Sequence, residues 1–212
     1  MELRIEQQTR GVRIITGQEA RQRRDRLNRL IELAGVYGFE EIILPSIEPA
    51  SLYVDKAGPE VLGQMYTFPD RKGRELCLRP EGTATVQAIA REHWKGQEKR
   101  VWYFERCYRY ERPQAGRYRE FFQFGVEWLN PPIDIPASDV LIEMARHMLE
   151  GTDAELSIGV KRGLSYYTDN GFEFVCEHLG AQKQVCGGGP YEGGIGFAIG
   201  FDRTMLAYDG LR

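Results

Sequence analysis

KRVWYFERCYRYE (residues 99–111) and REFFQFGVEWLN (residues 119–130) decide the fold. Both runs are long and rich in aromatic residues, and the short connection RPQAGRY joins them. Such a pair predicts a long antiparallel hairpin with a basic, flexible tip. Upstream, residues 18–37 place Leu27, Leu30, Ile31 and Ala34 at i, i+3, i+4 and i+7, an amphipathic helix with an arginine-rich outer face. Gly38 ends that helix, Glu41 to Leu44 read as a short strand, and Pro45 stops regular pairing. QMYTF (64–68) and ELCLR (75–79) form a second hairpin around PDRKGR, and a helix starts near Thr83. Downstream, residues 138–149 read as a helix with Ser138 as N-cap. Residues 155–160, 171–179 and 193–201 read as strands, and FDRTMLAYDGL reads as a closing helix. Strands follow one another without alternating βαβ crossovers, so the expected fold class is α+β: one domain, an antiparallel sheet flanked by helices.

The composition bounds what such a domain does. With 212 residues, 42% hydrophobic and 28% charged, the chain can bury a core without a metal or disulfide staple. Lys and Arg number 28 against 31 Asp and Glu, a net charge of −3, so any nucleotide or RNA site must concentrate its cations locally. Cys77, Cys107, Cys176 and Cys186 form no C-x-x-C pair and share no metal-ligand spacing with His93, His147 and His178. No apolar stretch reaches the ~20 residues of a membrane helix, and the N-terminus has no apolar core of a signal peptide. The expected compartment is the cytoplasm, with no membrane partner. No G-x-x-x-x-G-K-[ST] phosphate loop is present, so ATP use would rest on other groups.

Three places carry more chemistry than a plain core needs. The hairpin tip holds Arg109, Arg112, Arg117 and Arg119, interleaved with Tyr108, Tyr110, Tyr118 and Phe121. Guanidinium forks match phosphate oxygens and ring faces stack on bases; the same alternation also serves an exposed hairpin with cross-strand Arg–Glu pairs. In LRPEGT (78–83), Glu81 and Thr83 stand at a strand-to-helix turn that can hold an ammonium group or simply cap the helix. Of the 24 glycines, about 15 of which average usage would supply, seven lie in VCGGGPYEGGIGFAIGFDR (185–203). That is too many for one turn and suits close approach of backbone to a ligand. Arg203 follows at the start of the last helix, where helix N–H groups and a guanidinium would face one anion.

Taken together, YRYERPQAGRYREFFQFGVE (108–127), RPEGT (79–83), VKRGLSYYTDNGFE (160–173), VCGGGPYEGG (185–194) and GFAIGFDRTML (196–206) resemble histidyl-tRNA synthetase and its paralogues. The likeness runs in order along nearly the whole chain and takes in the three class II synthetase motifs. It implies a class II catalytic domain over residues 1–212, a homodimer through motif 1, and the use of histidine, ATP and Mg²⁺ to form histidyl-adenylate. By position it implies Arg109 and Arg162 as catalytic groups across the α-phosphate. Arg117 and Arg203 would grip the β- and γ-phosphates, Phe121 would stack on adenine and Glu111 would read its edge. Glu81, Thr83 and Gln123 would hold the α-ammonium, while Glu127, Tyr166 and Tyr167, with Arg162, would complete the histidine pocket. Mg²⁺ ligands are not indicated.

The family's usual RGLDYY is RGLSYY here, so Ser165 replaces an acid; Pro190 replaces an arginine and Glu192 an aspartate in the usual GGRYDG. The family's helical insertion between motif 2 and RGLDYY and its anticodon-binding domain are both expected to be absent. With them go the main tRNA-gripping parts, so tRNA binding is expected to be weak. Three functions follow from the resemblance: a minimal histidine-activating core, a paralogue that activates an amino acid for another acceptor, and a histidine-sensing regulatory subunit of ATP phosphoribosyltransferase. Retention of Arg109, Arg162 and Arg203 favours the first.

Overall fold

A computed structural model describes residues 5–54, 59–160, 171–180 and 183–209. The first helix, α1 (Gly17–Val36), buries Leu27, Leu30 and Ala34, the stripe its periodicity predicts, together with Arg23. It closes as the chain turns at Gly38, whose φ of 76° suits glycine, with Phe39 N–H donating back to Ala34 O at 2.9 Å. Strand β1 (Glu40–Glu41) is shorter than the expected 41–44 segment, although Ile42 N–H still donates to Trp102 O. Then come β2 (Ile47–Pro49), two four-residue helices α2 (Ser51–Val54) and α3 (Pro59–Leu62), and the hairpin β3 (Thr67–Pro69) and β4 (Glu75–Leu78). Helix α4 (Thr83–His93) starts where its sequence predicts.

The central hairpin is β5 (Lys99–Tyr108) and β6 (Glu120–Leu129), ten residues paired against ten with no break in register. Helix α5 (Ala137–Met148) follows, then β7 (Glu155–Val160), β8 (Gly171–Val175), a 3₁₀ turn at Glu177–Leu179, β9 (Gln184–Tyr191), β10 (Gly194–Gly200) and α6 (Phe201–Asp209). Ser138 is not the N-cap of α5. Pro136 holds that place, and its carbonyl accepts from Asp139 and Val140. The expected 171–179 strand ends early, at Val175, and β9 was not foreseen at all.

Seven strands make one sheet in the order β1-β5-β6-β10-β9-β8-β7, antiparallel except for the β1–β5 pair; β2, β4 and β3 form a small second sheet. The α+β expectation holds. Side chains alternate across the sheet. Even-numbered residues of β6 (Phe124, Val126, Trp128) join Leu30 of α1, Leu141 and Met144 of α5 and Phe201 of α6 in the main core. Odd-numbered Leu129, with Val101 and Tyr103 of β5, packs against Val86 of α4. This second face is the one that carries Gln123, Glu127 and the base of the hairpin.

The glycine excess has a structural address. Register pairs Gly196 with both Glu127 and Gly189, Gly200 with Gln123, and Ala198 with Gly187. Gly187, Gly189, Gly194, Gly196 and Gly200 therefore all face the Glu127 side, where they leave the sheet bare of side chains. A Cβ on Gly196 would lie 1.9 Å from Glu127 Oε2. That residue is glycine because a carboxylate lies across it.

Candidate active site

Three arginines expected to hold phosphate converge at the hairpin tip. Arg203, in the first turn of α6, donates from Nε to Gly116 O at 3.1 Å and from Nη1 to Gln184 O at 2.5 Å. Burial lowers its pKa to about 10, and the nearby charges of Arg109 and Arg117 push the same way against Asp202. The residue stays cationic at neutral pH, but three guanidiniums that repel one another mark a place where an anion is stabilised. Arg109 donates from Nε to Pro80 O at 3.0 Å, and its guanidinium lies over the Phe121 ring at 5.4 Å. Arg117 forms an ion pair with Glu111, so two groups expected on opposite ends of ATP hold each other here.

The tip is fastened, against the expectation of flexibility. Arg109 N–H donates to Arg119 O, Arg119 N–H to Gly11 O, Tyr110 N–H to Gln64 O, and Arg119 Nε to Glu111 O. Together with the Arg203 bond to Gly116, these tie the hairpin to the N-terminal segment, the second hairpin and α6. A site assembled from distant segments is thereby positioned before any ligand arrives.

Beneath the arginines lies a buried polar network. Glu127 is fully buried; it accepts from Thr83 Oγ1 at 2.5 Å and from Tyr191 OH at 2.7 Å. Burial pushes its pKa up to about 8, with the two hydroxyl donors opposing and the Glu81 charge adding to the rise. Glu81 caps α4, accepting from Thr83 N–H at 2.7 Å and Ala84 N–H at 3.0 Å, so the capping alternative at LRPEGT is realised. Behind it, Tyr53 OH donates to Glu48 Oε2 at 2.9 Å, and Thr85 Oγ1 bonds both Glu48 oxygens at 2.8 Å. Burial raises Glu48's pKa as well. Gln123 Oε1 accepts from the buried Cys107 thiol at 3.2 Å, and burial lifts that thiol to about 12, which leaves it un-ionised.

The structure thus gathers Arg109, Glu111, Arg117, Phe121 and Arg203 at one end, and Glu81, Thr83, Gln123 and Glu127 at the other, of a single sheet face. Arg162, Tyr166 and Tyr167 lie outside the described residues. Tyr191 was missed, and so were Glu48, Tyr53 and Thr85. A signal for Tyr191 existed: once VCGGGPY is read as a strand, it shares the face of Gly187 and Gly189. Among the described residues no three His, Cys, Asp or Glu side chains are grouped to hold a metal ion.

A family model described as Histidyl-tRNA synthetase matches residues 11–154. The histidine–tRNA ligase of Archaeoglobus fulgidus is 30% identical over a 306-position alignment that takes in 93% of this chain and 75% of that protein. About a hundred of those positions have no counterpart here. The apo histidyl-tRNA synthetase of S. aureus superposes with a TM-score of 0.77 at 26% identity, covering 97% of this chain and 70% of its own. A structure described as an ATP phosphoribosyltransferase regulatory subunit/histidyl-tRNA synthetase from Bacillus halodurans C shares the fold at 15% identity and a TM-score of 0.79, over 99% of this chain and 85% of its own. The family model, the 30%-identical relative and the superposing synthetase fold agree: the chain belongs to the histidyl-tRNA synthetase family, with the class II catalytic fold.

Proposed function

We propose that this domain activates histidine with ATP, forming histidyl-adenylate and pyrophosphate, and passes the histidyl group to tRNA or another acceptor. The convergence of Arg109, Arg117 and Arg203 carries the reading. A histidine carboxylate oxygen attacks the α-phosphorus, the bond from that phosphorus to the bridging oxygen breaks, and pyrophosphate leaves. The nucleophile is already ionised, so the site needs no base. Cations fixed around the phosphates stabilise the charge that spreads over their oxygens. Phe121 offers a ring face to adenine, and Glu111, released from Arg117 as phosphate takes the guanidinium, is free to meet the base edge. Mg²⁺ bound to the ATP phosphates would supply further neutralisation of their charge.

At the other end, the bare glycine floor admits a small amino acid, and Glu127 meets an imidazole N–H. Gln123 and the Glu81–Thr83 turn face the α-ammonium. Arg162, Tyr166 and Tyr167 complete the pocket by family position. The whole chain acts as one catalytic unit, and the hundred unmatched positions of the A. fulgidus relative fit the reading that the helical insertion is missing. Val36, Ile43 and Ile47 are large exposed apolar residues in and beside the helix–strand segment ending at Pro45, which corresponds to motif 1, and this supports a homodimer. No helix among the described residues is long and apolar enough to cross a membrane.

A sensing role is favoured by one observation, the Arg117–Glu111 pair, which keeps a phosphate-binding cation engaged. Exchange of labelled pyrophosphate into ATP separates the two readings. Histidine is expected to stimulate exchange at least 100-fold over any other of the twenty amino acids. Saturable histidine binding with no exchange at any ATP concentration would assign the chain to sensing.

A further inference from the structure

On the core side of the sheet, away from Glu127, Arg13, α1, β5, β6 and the start of α6 line a half-open cavity of about 260 Å³. Its walls combine two chemistries. Phe104 and Phe122 stack 4.8 Å apart, and Phe201 meets Phe104 edge-on at 5.0 Å, giving an aromatic wall. Facing it are Arg13, Arg23, Arg24 and Arg106, against two acids, Glu120 and Asp202. Both acids are already answered: Glu120 by Arg106 at 3.4 Å, and Asp202 Oδ1 by Arg23 at 2.9 Å and Arg13 at 3.5 Å. Asp202 Oδ2 accepts from Phe122 N–H at 2.6 Å.

Arg23 is left wanting an acceptor. Its side chain is only 9% exposed, and among the described residues neither of its terminal nitrogens has an aligned hydrogen bond. The contact with Asp202 is a close ion pair, and Nη1 stays buried without a hydrogen-bond acceptor among the described residues. The guanidinium lies over Phe201 at 4.9 Å, so its plane is held against the aromatic wall. A buried cationic N–H without an acceptor is costly, and an incoming oxyanion would satisfy it with a charge-assisted bond. The adjacent rings would take an apolar body at the same time.

We propose that this cavity is a second ligand site, for a small oxyanion (phosphate or carboxylate) carried on a compact aromatic group. Arg23 and Arg13 bind the anion, and the Phe104–Phe122–Phe201 wall binds the ring. The inference does not rest on the proposed reaction, whose groups lie on the other face of the sheet.

Phenyl phosphate is the probe, titrated into the chain by calorimetry or NMR beside inorganic phosphate and phenol. It is expected to bind at least tenfold more tightly than either half-molecule. Arg23→Met should weaken it at least tenfold, and Arg109→Gln should leave it unchanged. Because Arg23→Met also removes the Asp202 ion pair and could cost folding, Ala20→Leu gives an independent check. Ala20 lines the cavity from α1, and a leucine there would take up cavity volume while leaving both Arg23 and Asp202 in the chain. Binding unaffected by Ala20→Leu would overturn the proposal. So would binding lost in Arg109→Gln but kept in both α1 variants, no binding at millimolar probe, or inorganic phosphate matching phenyl phosphate, which would mean an adventitious ion only.

Discussion

Arg203→Ala is expected to lower histidine-dependent pyrophosphate exchange by about 10³-fold, the scale on which single fixed cations act in phosphoryl chemistry. The expectation rests on its place between two structural carbonyls, Gly116 O and Gln184 O, and two like charges, Arg109 and Arg117. Because the side chain also ties the hairpin tip to β9, part of the loss should appear as weaker ATP binding. Arg203→Lys separates the two effects: it keeps the charge but loses the fork, so it should recover ATP affinity more than the exchange rate. Arg109→Ala should match the defect, and the double variant should cost less than the sum, since the two groups stabilise one transition state. Steady-state exchange at varied ATP checks all three.

Glu127→Gln is expected to remove a large part of the pH dependence of stability between about pH 4.5 and 8. In the folded protein Glu127 keeps its proton up to about pH 8, whereas an unfolded glutamate releases it near 4.5. Within that window the folded state holds the extra proton. The residue's contribution to stability is therefore full at the acid end and declines as pH rises through the folded pKa. At 1.36 kcal/mol per unit the wild type should lose about 5 kcal/mol across the window that the variant retains. Urea unfolding at several pH values measures this directly. The same raised pKa makes histidine binding pH-linked: an imidazole N–H against Glu127 favours the ionised carboxylate, so binding should expel a proton near neutral pH. Glu127→Gln should abolish that release, as read by calorimetry in buffers of different ionisation enthalpy.

Local pattern made much of this molecule legible. Leu27, Leu30 and Ala34 declare α1 because a helix repeats every 3.6 residues, and the aromatic runs declare β5 and β6 because alternation and a proline-glycine connector leave few alternatives. The arginines of the tip were readable as a group. What escaped depends on partners far away in the chain. Arg23 looks like one more solvated arginine until Asp202, at the other end of the sequence, buries it. The Gln184–Tyr191 strand has three consecutive glycines and no strand propensity; it is held by β8 on one side and β10 on the other. Tyr191 was hidden with it. Ser138 lost the cap to Pro136 because the proline's fixed φ already starts the helix. The hairpin tip reads as flexible from its composition, but its bonds go to Gly11, Gln64 and Arg203, none of them local.

Under the proposed function, this site joins a histidine carboxylate to the α-phosphorus of ATP. Histidine labelled with ¹⁸O in its carboxylate, incubated with ATP and hydroxylamine, reports on that bond. Attack at the α-phosphorus makes a carboxylate oxygen the bridging atom, and hydroxylamine then cleaves the acyl bond, so one labelled oxygen should appear in AMP and be lost in Arg203→Ala. AMP that forms without label, or no AMP at all while histidine binds, would contradict the account.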